Sequence, residues 1–166
     1  MKISTCLITG LPGSGKTLLA VEIIKLNADS ENPRPLFTNI NGIDFKALRC
    51  FNLANDQVTQ INKDNYPVGS IFVIDEAQEH YPPRSSGAKK PEHIAFFEVR
   101  RHVGYDFILL TQHPKLIDKN IRLLLADHYH NNRPFGMGYR NVLHWPSVNE
   151  DPEPNQSAST AVVEKK

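Results

Sequence analysis

The sequence predicts an α/β domain with a mainly parallel central sheet flanked by helices, and two stretches carry this prediction. The first is a strand-like run over residues 2–9, followed by the glycine-rich segment GLPGSGKT and a run over residues 18–26 with helical propensity. The second is the apolar run IFVI, which ends in two adjacent acids, Asp75 and Glu76. Such a continuous β-branched and aromatic run is typical of a strand covered on both faces.

The segment GLPGSGKT matches the pattern G-x-x-x-x-G-K-[ST] and predicts a phosphate-binding loop. Its residues are Gly10, Leu11, Pro12, Gly13, Ser14, Gly15, Lys16 and Thr17. Glycines let the backbone curl so that successive N–H groups face a phosphate, and the following helix adds its positive dipole end. We expect Lys16 to reach the β and γ phosphates of ATP and the Thr17 hydroxyl to ligate Mg²⁺. A glycine-rich turn before a helix is the alternative interpretation.

The two acids after the second strand are expected to complete this site. A nucleotide-bound Mg²⁺ needs an acid at the end of a neighbouring strand, and Asp75 suits that role. Glu76 is expected to orient or deprotonate the water that attacks the γ-phosphate. Because side chains alternate along a strand, the two acids need not share one role. An acidic pair at a solvated turn or a helix N-cap is the alternative.

The remaining elements follow from apolar runs and from turn residues. We expect a strand over residues 36–40, a short helix over 54–61, a helix over 91–101, a strand over 106–110, a helix over 116–124, and a strand pair over 125–131 and 139–145 around a turn at 134–136. The strand inserted before the acidic strand favours the additional-strand branch of the P-loop NTPases, which carries a catalytic glutamate. Gln78 stands where the D-x-x-G motif of a GTPase requires glycine, which argues against that class.

Further candidates for the site are polar residues at strand ends and arginines. Gln112, at the tip of the strand over residues 106–110, is a candidate sensor of the γ-phosphate, although a cap before a proline turn is equally open. Arg101 and Arg122 are candidate cations that stabilise the γ-phosphate of a neighbouring subunit, which would require a homo-oligomer. Most arginines instead form surface ion pairs.

Composition limits the classes of protein to which the chain can belong. The chain has 166 residues, 40% of them hydrophobic, and a net charge of +1, so no overall basic field argues for nucleic acid. We expect one ATPase domain over residues 1–148 and a disordered tail or linker over residues 149–166. The two cysteines predict reduced thiols, and the seven histidines show no metal-ligand spacing. No apolar run approaches the ~18 residues of a membrane helix, so we expect this chain to be soluble.

Four segments, GLPGSGKT, FVIDEAQEHYPPR, RRHVGYDFILLTQHPKLIDKNIR and HYHNN, together resemble the zonula occludens toxin family over residues 1–145. That family is similar to the filamentous-phage assembly ATPases. The resemblance implies the amino-terminal cytosolic ATPase domain of an inner-membrane protein that helps to extrude phage together with phage assembly proteins. It assigns the phosphate loop to ATP, Asp75 to Mg²⁺ and Glu76 to water, and it leaves the RHVGYD motif, with Arg101 and His102, at a subunit interface or a γ-phosphate contact.

Two other functions stay open at this point. A small-molecule or nucleotide kinase also needs a phosphate loop, but Glu76 would promote wasteful hydrolysis. An interaction domain could bind nucleotide only to fix its shape, without turnover.

Overall fold

The computed structural model describes residues 3–85, 87–133, 140–152 and 160–164, and eight strands of these residues form one sheet. The strands are β1 (Cys6–Thr9), β2 (Leu36–Thr38), β3 (Phe51–Asn52), β4 (Ile71–Ile74), β5 (Asp106–Leu110), β6 (Asp127–Asn132), β7 (Arg140–Trp145) and β8 (Thr160–Glu164). Their order is β3-β2-β4-β5-β1-β6-β7-β8. The first six strands of this order, from β3 at the edge to β6, pair in parallel, whereas β7 pairs antiparallel with both β6 and β8. The predicted mainly parallel fold is confirmed.

The described helices lie on the two faces of the sheet. They are α1 (Lys16–Ala28), α2 (Glu92–Val103) and α3 (Lys119–Arg122), with 3₁₀ turns at Asn55–Gln60, Ala77–Glu79 and Pro114–Leu116. Helix α2 begins after Pro91, whose missing N–H costs nothing there. It ends at Gly104, which adopts φ 73° and donates its N–H to the carbonyl of Arg101.

Two apolar clusters, one on each face, hold the central strands. On one face Ile8 and Ile108 pack with Ile24 of α1, and on the other Phe72 and Phe107 pack with residues of α2. All four residues of β1 and all four of β4 are buried, which explains why their sequences do not alternate. Both cysteines are free and buried, Cys6 in β1 at the centre of the sheet and Cys50 before the edge strand β3. Burial raises the pKa of both thiols.

The parallel arrangement brings the carboxyl ends of β4, β5, β1 and β6 to the same edge of the sheet. Ligands of open α/β sheets bind outside that edge. The loop after β1, the two acids after β4 and Gln112 after β5 therefore meet there. No helix among the described residues is long and apolar enough to cross a membrane.

Several predicted elements differ in detail. The strands expected at 71–74 and 106–110 have those bounds. The helix expected over 54–61 is only a 3₁₀ turn, and the one expected over 116–124 is a 3₁₀ turn followed by the short α3. The break occurs at Ile117, which is extended, and the carboxylate of Asp118 then caps α3 by accepting the N–H of Asn120. The turn expected at 134–136 lies outside the described residues.

Residues 149–166 were expected to be a disordered tail or linker, but residues 149–152 and 160–164 have a described structure. Thr160–Glu164 forms β8, which pairs antiparallel with β7. Residues 149–152 are described, and Pro152 is buried. The low apolar content of the whole segment hid the short run TAVV, whose valines favour a strand.

Candidate functional site

The phosphate loop connects β1 directly to α1, and its geometry requires glycine at the first position. Gly10 adopts φ 144°, and a Cβ atom there would lie 2.3 Å from the carbonyl oxygen of Asn131. The loop closes through the N–H of Ser14, which donates to the carbonyl of Leu11 at 3.1 Å. The N–H of Gly10 donates to the carbonyl of Gln112 at 3.3 Å, so the loop is also tied to the end of β5.

Lys16 lies inside the loop that precedes it. The residue is 8% exposed, and its Nζ donates to the carbonyl oxygen of Gly10 at 2.8 Å and to that of Leu11 at 3.3 Å. Burial lowers the pKa of Lys16, and the carboxylates of Glu76 and Asp75 oppose that shift. The ammonium group is therefore close enough to both acids to interact with them electrostatically.

Asp75 is fixed at the end of β4 by the side-chain amide of Asn39, which directly follows β2. The N–H of Asp75 donates to Asn39 Oδ1 at 2.7 Å, and Asn39 Nδ2 donates back to the carbonyl of Asp75 at 3.1 Å. Burial raises the pKa of the Asp75 carboxyl, whereas the backbone N–H of Glu76 lowers it. The charge of Lys16 and a hydrogen bond from the Thr17 hydroxyl also lower this pKa. Thr17 and Asp75, the two predicted metal ligands, are thus adjacent.

This pair fits Mg²⁺. A hydroxyl and a carboxylate are hard oxygen ligands of the kind that Mg²⁺ prefers, and Mg²⁺ is usually held by one or two such protein groups together with phosphate oxygens. A partly buried carboxylate whose pKa is raised by desolvation is also a group that a cation would stabilise in its charged form.

Glu76 has a strained backbone and a hydrogen-bonded carboxylate. It adopts φ 47° and ψ 46°, a left-handed conformation that is uncommon for residues other than glycine and is concentrated at functional sites. Its Oε2 accepts from Gln78 Nε2 at 2.5 Å. Gln78 Oε1 in turn accepts from the Thr111 hydroxyl at 2.7 Å. The carboxylate is therefore linked through Gln78 to the buried end of β5.

Gln112 follows Thr111, and its backbone and its side chain both lie beside the phosphate loop. Its carbonyl binds Gly10, while its exposed side chain lines a cavity of about 490 Å³ beside the phosphate loop. The other lining residues are Leu11, Pro12, Gly13, Ser14, His113, His130, Asn131, Asn132, Arg133 and Pro152. Ser14 Oγ and the Asn131 side-chain amide are buried without a hydrogen-bond partner among the described residues. Such orphan groups are typical of a place where a ligand or ordered water binds.

Among the described residues, neither predicted arginine has a hydrogen bond or an ion pair with the phosphate loop or the two acids. Arg101 is exposed near the end of α2, which leads into the amino end of β5, and this is the sheet edge opposite the phosphate loop. Arg122 donates to the carbonyl of Pro114 at 3.3 Å and lies 3.2 Å from a carboxylate oxygen of Glu150. Arg100, which precedes Arg101 in the chain, is 1% exposed and donates to two backbone carbonyls. Its role is therefore in the packing of the domain.

Three residues of the site were missed at the level of sequence: Asn39, Gln78 and Thr111. Gln78 entered the sequence argument only as a residue that excludes a GTPase. Its position two residues beyond Glu76 was the available signal. Asn39 and Thr111 directly follow other strands, β2 and β5, and no local pattern connects them to the acids.

Comparisons with known proteins find a matching family model and a curated phage relative. The family model "Zonular occludens toxin (Zot)" matches residues 4–166. The protein ORF301 of Pseudomonas phage Pf3, described as an assembly protein, is 33% identical over 158 residues, which are 93% of this chain and 51% of that protein. The chain therefore spans about half the length of the curated relative that it matches.

Two solved structures support the same fold. The N-terminal domain of zonular occludens toxin from Neisseria meningitidis is 35% identical, with 99% of this chain and 95% of that chain covered and a TM-score of 0.75. The genome packaging NTPase B204 from Sulfolobus turreted icosahedral virus 2, solved with ATP-gammaS, is 13% identical, with 98% and 97% covered and a TM-score of 0.61. At that identity the second likeness shows the fold alone.

Proposed function

This chain belongs to the zonular occludens toxin (Zot) family, and we propose that it binds and hydrolyses ATP as the cytosolic domain of a membrane protein that assembles and extrudes filamentous phage. One observation carries the enzymatic part of the proposal. The Lys16 ammonium lies within the phosphate loop and interacts with both acids that follow β4. A cation, a metal-binding pair and a candidate base thus converge where the γ-phosphate of a loop-bound nucleotide would lie.

Each residue has one role in this proposal. The loop N–H groups and Lys16 bind the β and γ phosphates. Thr17 and Asp75 would hold Mg²⁺, which supplies charge neutralisation of the phosphate oxygens. Glu76 accepts the proton of the attacking water, and the amide of Gln78 orients its carboxylate. Gln112, beside the loop, is the proposed γ-phosphate contact.

The proposal also includes assembly at a membrane. Arg101 lies at the sheet edge opposite its own phosphate loop, which supports a role on a neighbouring subunit rather than within its own site. Arg122 is a second candidate, although it has partners within its own chain. The curated relative is about twice as long and is described as a phage assembly protein. We therefore propose a homo-oligomer at the cytoplasmic face of the bacterial inner membrane, with phage assembly proteins as partners.

Titration calorimetry with ATP and Mg²⁺, combined with phosphate release over a range of protein concentrations, tests this proposal. We expect the chain to bind ATP and its activity per subunit to rise with concentration, because a site completed across an interface is empty in a monomer. Lys16→Ala subunits, which keep their arginines, should partly restore activity to an Arg101→Ala or Arg122→Ala variant when mixed with it.

Two results would contradict it. Absence of ATP binding would overturn the nucleotide site itself. A rate that does not depend on concentration, together with no rescue of either arginine variant, would mean that the site is complete within one chain.

A further inference from the structure

The two histidines of the HYHNN motif have no part in the proposed hydrolysis, yet they bind the strand that leads into the phosphate loop. Strand β6 pairs with β1 in parallel, with His130 opposite Thr9. The Thr9 hydroxyl oxygen lies 2.7 Å from His128 Nε2 and 2.9 Å from His130 Nδ1. Thr9 directly precedes Gly10, so one hydroxyl joins both imidazoles to the base of the loop.

The proton positions in this chain of hydrogen bonds follow from its contact with a backbone N–H, which can only donate. The backbone N–H of Asn149 donates to His128 Nδ1 at 3.2 Å, so the proton of a neutral His128 must be on Nε2. His128 Nε2–H then donates to Thr9 Oγ1. The hydroxyl has one proton of its own, which it gives to His130 Nδ1. Because His130 Nδ1 is the acceptor that lies within reach of this proton among the described residues, we assign the ring proton of a neutral His130 to Nε2, on the side of the ring away from Thr9.

Both imidazoles are neutral at physiological pH. Burial lowers the pKa of His128 to about 3, and the neighbouring His130, His113 and His144 add to the shift. Burial also lowers the pKa of His130 to about 4, with further contributions from His113 and from the charge of Lys16. His130 therefore offers a hydrogen-bond donor that carries no charge.

We propose that His130 contacts the bound nucleotide, with its Nε2–H donating to a phosphate oxygen of the nucleoside triphosphate, and that Thr9 and His128 are positioning residues that fix this donor. The proposal rests on the proposed function. His130 lines the cavity that the loop residues Leu11 to Ser14 and Gln112 also line. It is also near enough to Lys16, the proposed phosphate-binding cation, for the two to interact.

A neutral donor has a physical advantage at this position. A hydrogen bond to an anionic oxygen is stronger than one between neutral groups. A second cation beside Lys16 would add repulsion in the empty site, whereas an imidazole held neutral by burial avoids it. The fixed tautomer also spares the ring from reorganising when the nucleotide binds, which is the benefit of preorganisation.

Binding of ATPγS with Mg²⁺, measured by titration calorimetry on the full chain, tests the contact. We expect His130→Ala to weaken affinity about tenfold, since a hydrogen bond to a charged group contributes about 1.5 kcal/mol or more. His130→Gln, whose amide N–H lies near the position of Nε2, should stay within about threefold of the parent chain. Thr9→Val should weaken binding and Thr9→Ser should restore it. His93→Ala, a half-buried histidine of α2 that lines a different cavity, is the matched control.

Nitrogen-15 NMR of the histidine rings supplies a readout that a merely structural role would not move. We expect His130 in the free protein to be protonated on Nε2, and that N–H signal to shift when ATPγS is added. Thr9→Val should lose the single tautomer. A proton on Nδ1 of His130, or an unshifted Nε2–H signal in the complex, would overturn the proposal even if the alanine variant fails to fold.

Failure of this inference is distinguishable from failure of the proposed function. If Lys16→Ala abolishes ATPγS binding while His130→Ala binds like the parent chain, only the His130 contact is wrong. If the parent chain does not bind ATPγS, the proposed function fails and the contact fails with it.

Discussion

The two sides of β1 are built from opposite kinds of chemistry, although both end at the same loop. On the side of β4 and β5 two carboxylates face Lys16. On the side of β6 two neutral imidazoles share the hydroxyl of Thr9. The acidic side needs cations to be stable in its charged form, whereas the histidine side is satisfied by hydrogen bonds alone.

This difference indicates how work is divided around the loop. Carboxylates can hold a metal and accept a proton, so changes on the acidic side should act mainly on the rate of hydrolysis. Neutral donors can only bind and orient, so changes on the histidine side should act mainly on affinity. The loop and its lysine belong to both sides.

Lys16→Ala should have the largest effect, because it removes the cation that the two sides share. We expect ATP affinity to fall at least about 1,000-fold, since charge-assisted hydrogen bonds to both the β and γ phosphates disappear. Titration calorimetry measures the loss. Lys25→Ala, an exposed lysine in the last turn of α1, is the control and should bind ATP normally. Unchanged affinity in Lys16→Ala would sink the assignment of the loop.

Glu76→Gln should separate rate from affinity on the acidic side. An amide keeps the shape of the carboxylate but cannot accept a proton from water, so we expect hydrolysis to slow about 100-fold or more while ATP and Mg²⁺ still bind. Single-turnover phosphate release checks this, with Glu79→Gln, an exposed acid of the same turn, as the control. Lost Mg²⁺ affinity with a normal rate per bound nucleotide would mean that Glu76 and Asp75 have exchanged roles.

Thr111→Val should show how far the acidic side depends on its supporting hydrogen bonds. Without the hydroxyl, Gln78 loses the donor that orients its amide toward Glu76. We expect the rate of hydrolysis to fall about tenfold or less with ATP affinity unchanged, because one neutral hydrogen bond contributes about 0.5–1.5 kcal/mol. Thr111→Ser should recover the rate. A loss of affinity instead would show that Thr111 supports the loop, through the neighbouring Gln112 carbonyl that binds Gly10, rather than the base.

Low pH should lower the free energy of unfolding through His130. The pKa of His130 is about 4 in the folded protein and near 6.5 when unfolded, so between these values the unfolded chain binds more protons. The free energy of unfolding should therefore fall as the pH falls from 7 to 5. His130→Gln should remove about 1 kcal/mol of that fall, after allowance for solvent screening of a partly exposed ring. Urea unfolding at both pH values measures it, and equal pH dependence in both chains would contradict the assignment.

The sequence was most informative where the chemistry is contiguous along the chain. GLPGSGKT and the acids after IFVI are short local patterns, and the structure brings Lys16, Thr17 and Asp75 together as expected. The central strands were also visible, because burial on both faces leaves continuous apolar runs.

The supporting residues were not visible, for physical reasons. Asn39, Gln78 and Thr111 act through register between strands, and a single polar residue at a strand end carries no periodic signal. The edge strands β3 and β8 were missed because two residues, or a short run in a polar tail, give too little pattern. Helix propensity over residues 116–124 was overruled by the Asp118 cap.

The labelling rates of the two buried thiols would report on opening motions of this protein. A thiolate is the nucleophile that attacks a thiol reagent, and neither Cys6 nor Cys50 can supply one while buried with a raised pKa. Modification must therefore wait for the chain to open. Because Cys50 precedes an edge strand and Cys6 lies in the central one, the first should be labelled through local fraying and the second only through opening of the sheet. Their two rates would measure, without any engineered probe, how strongly a bound nucleotide holds the centre of the sheet closed relative to its margin.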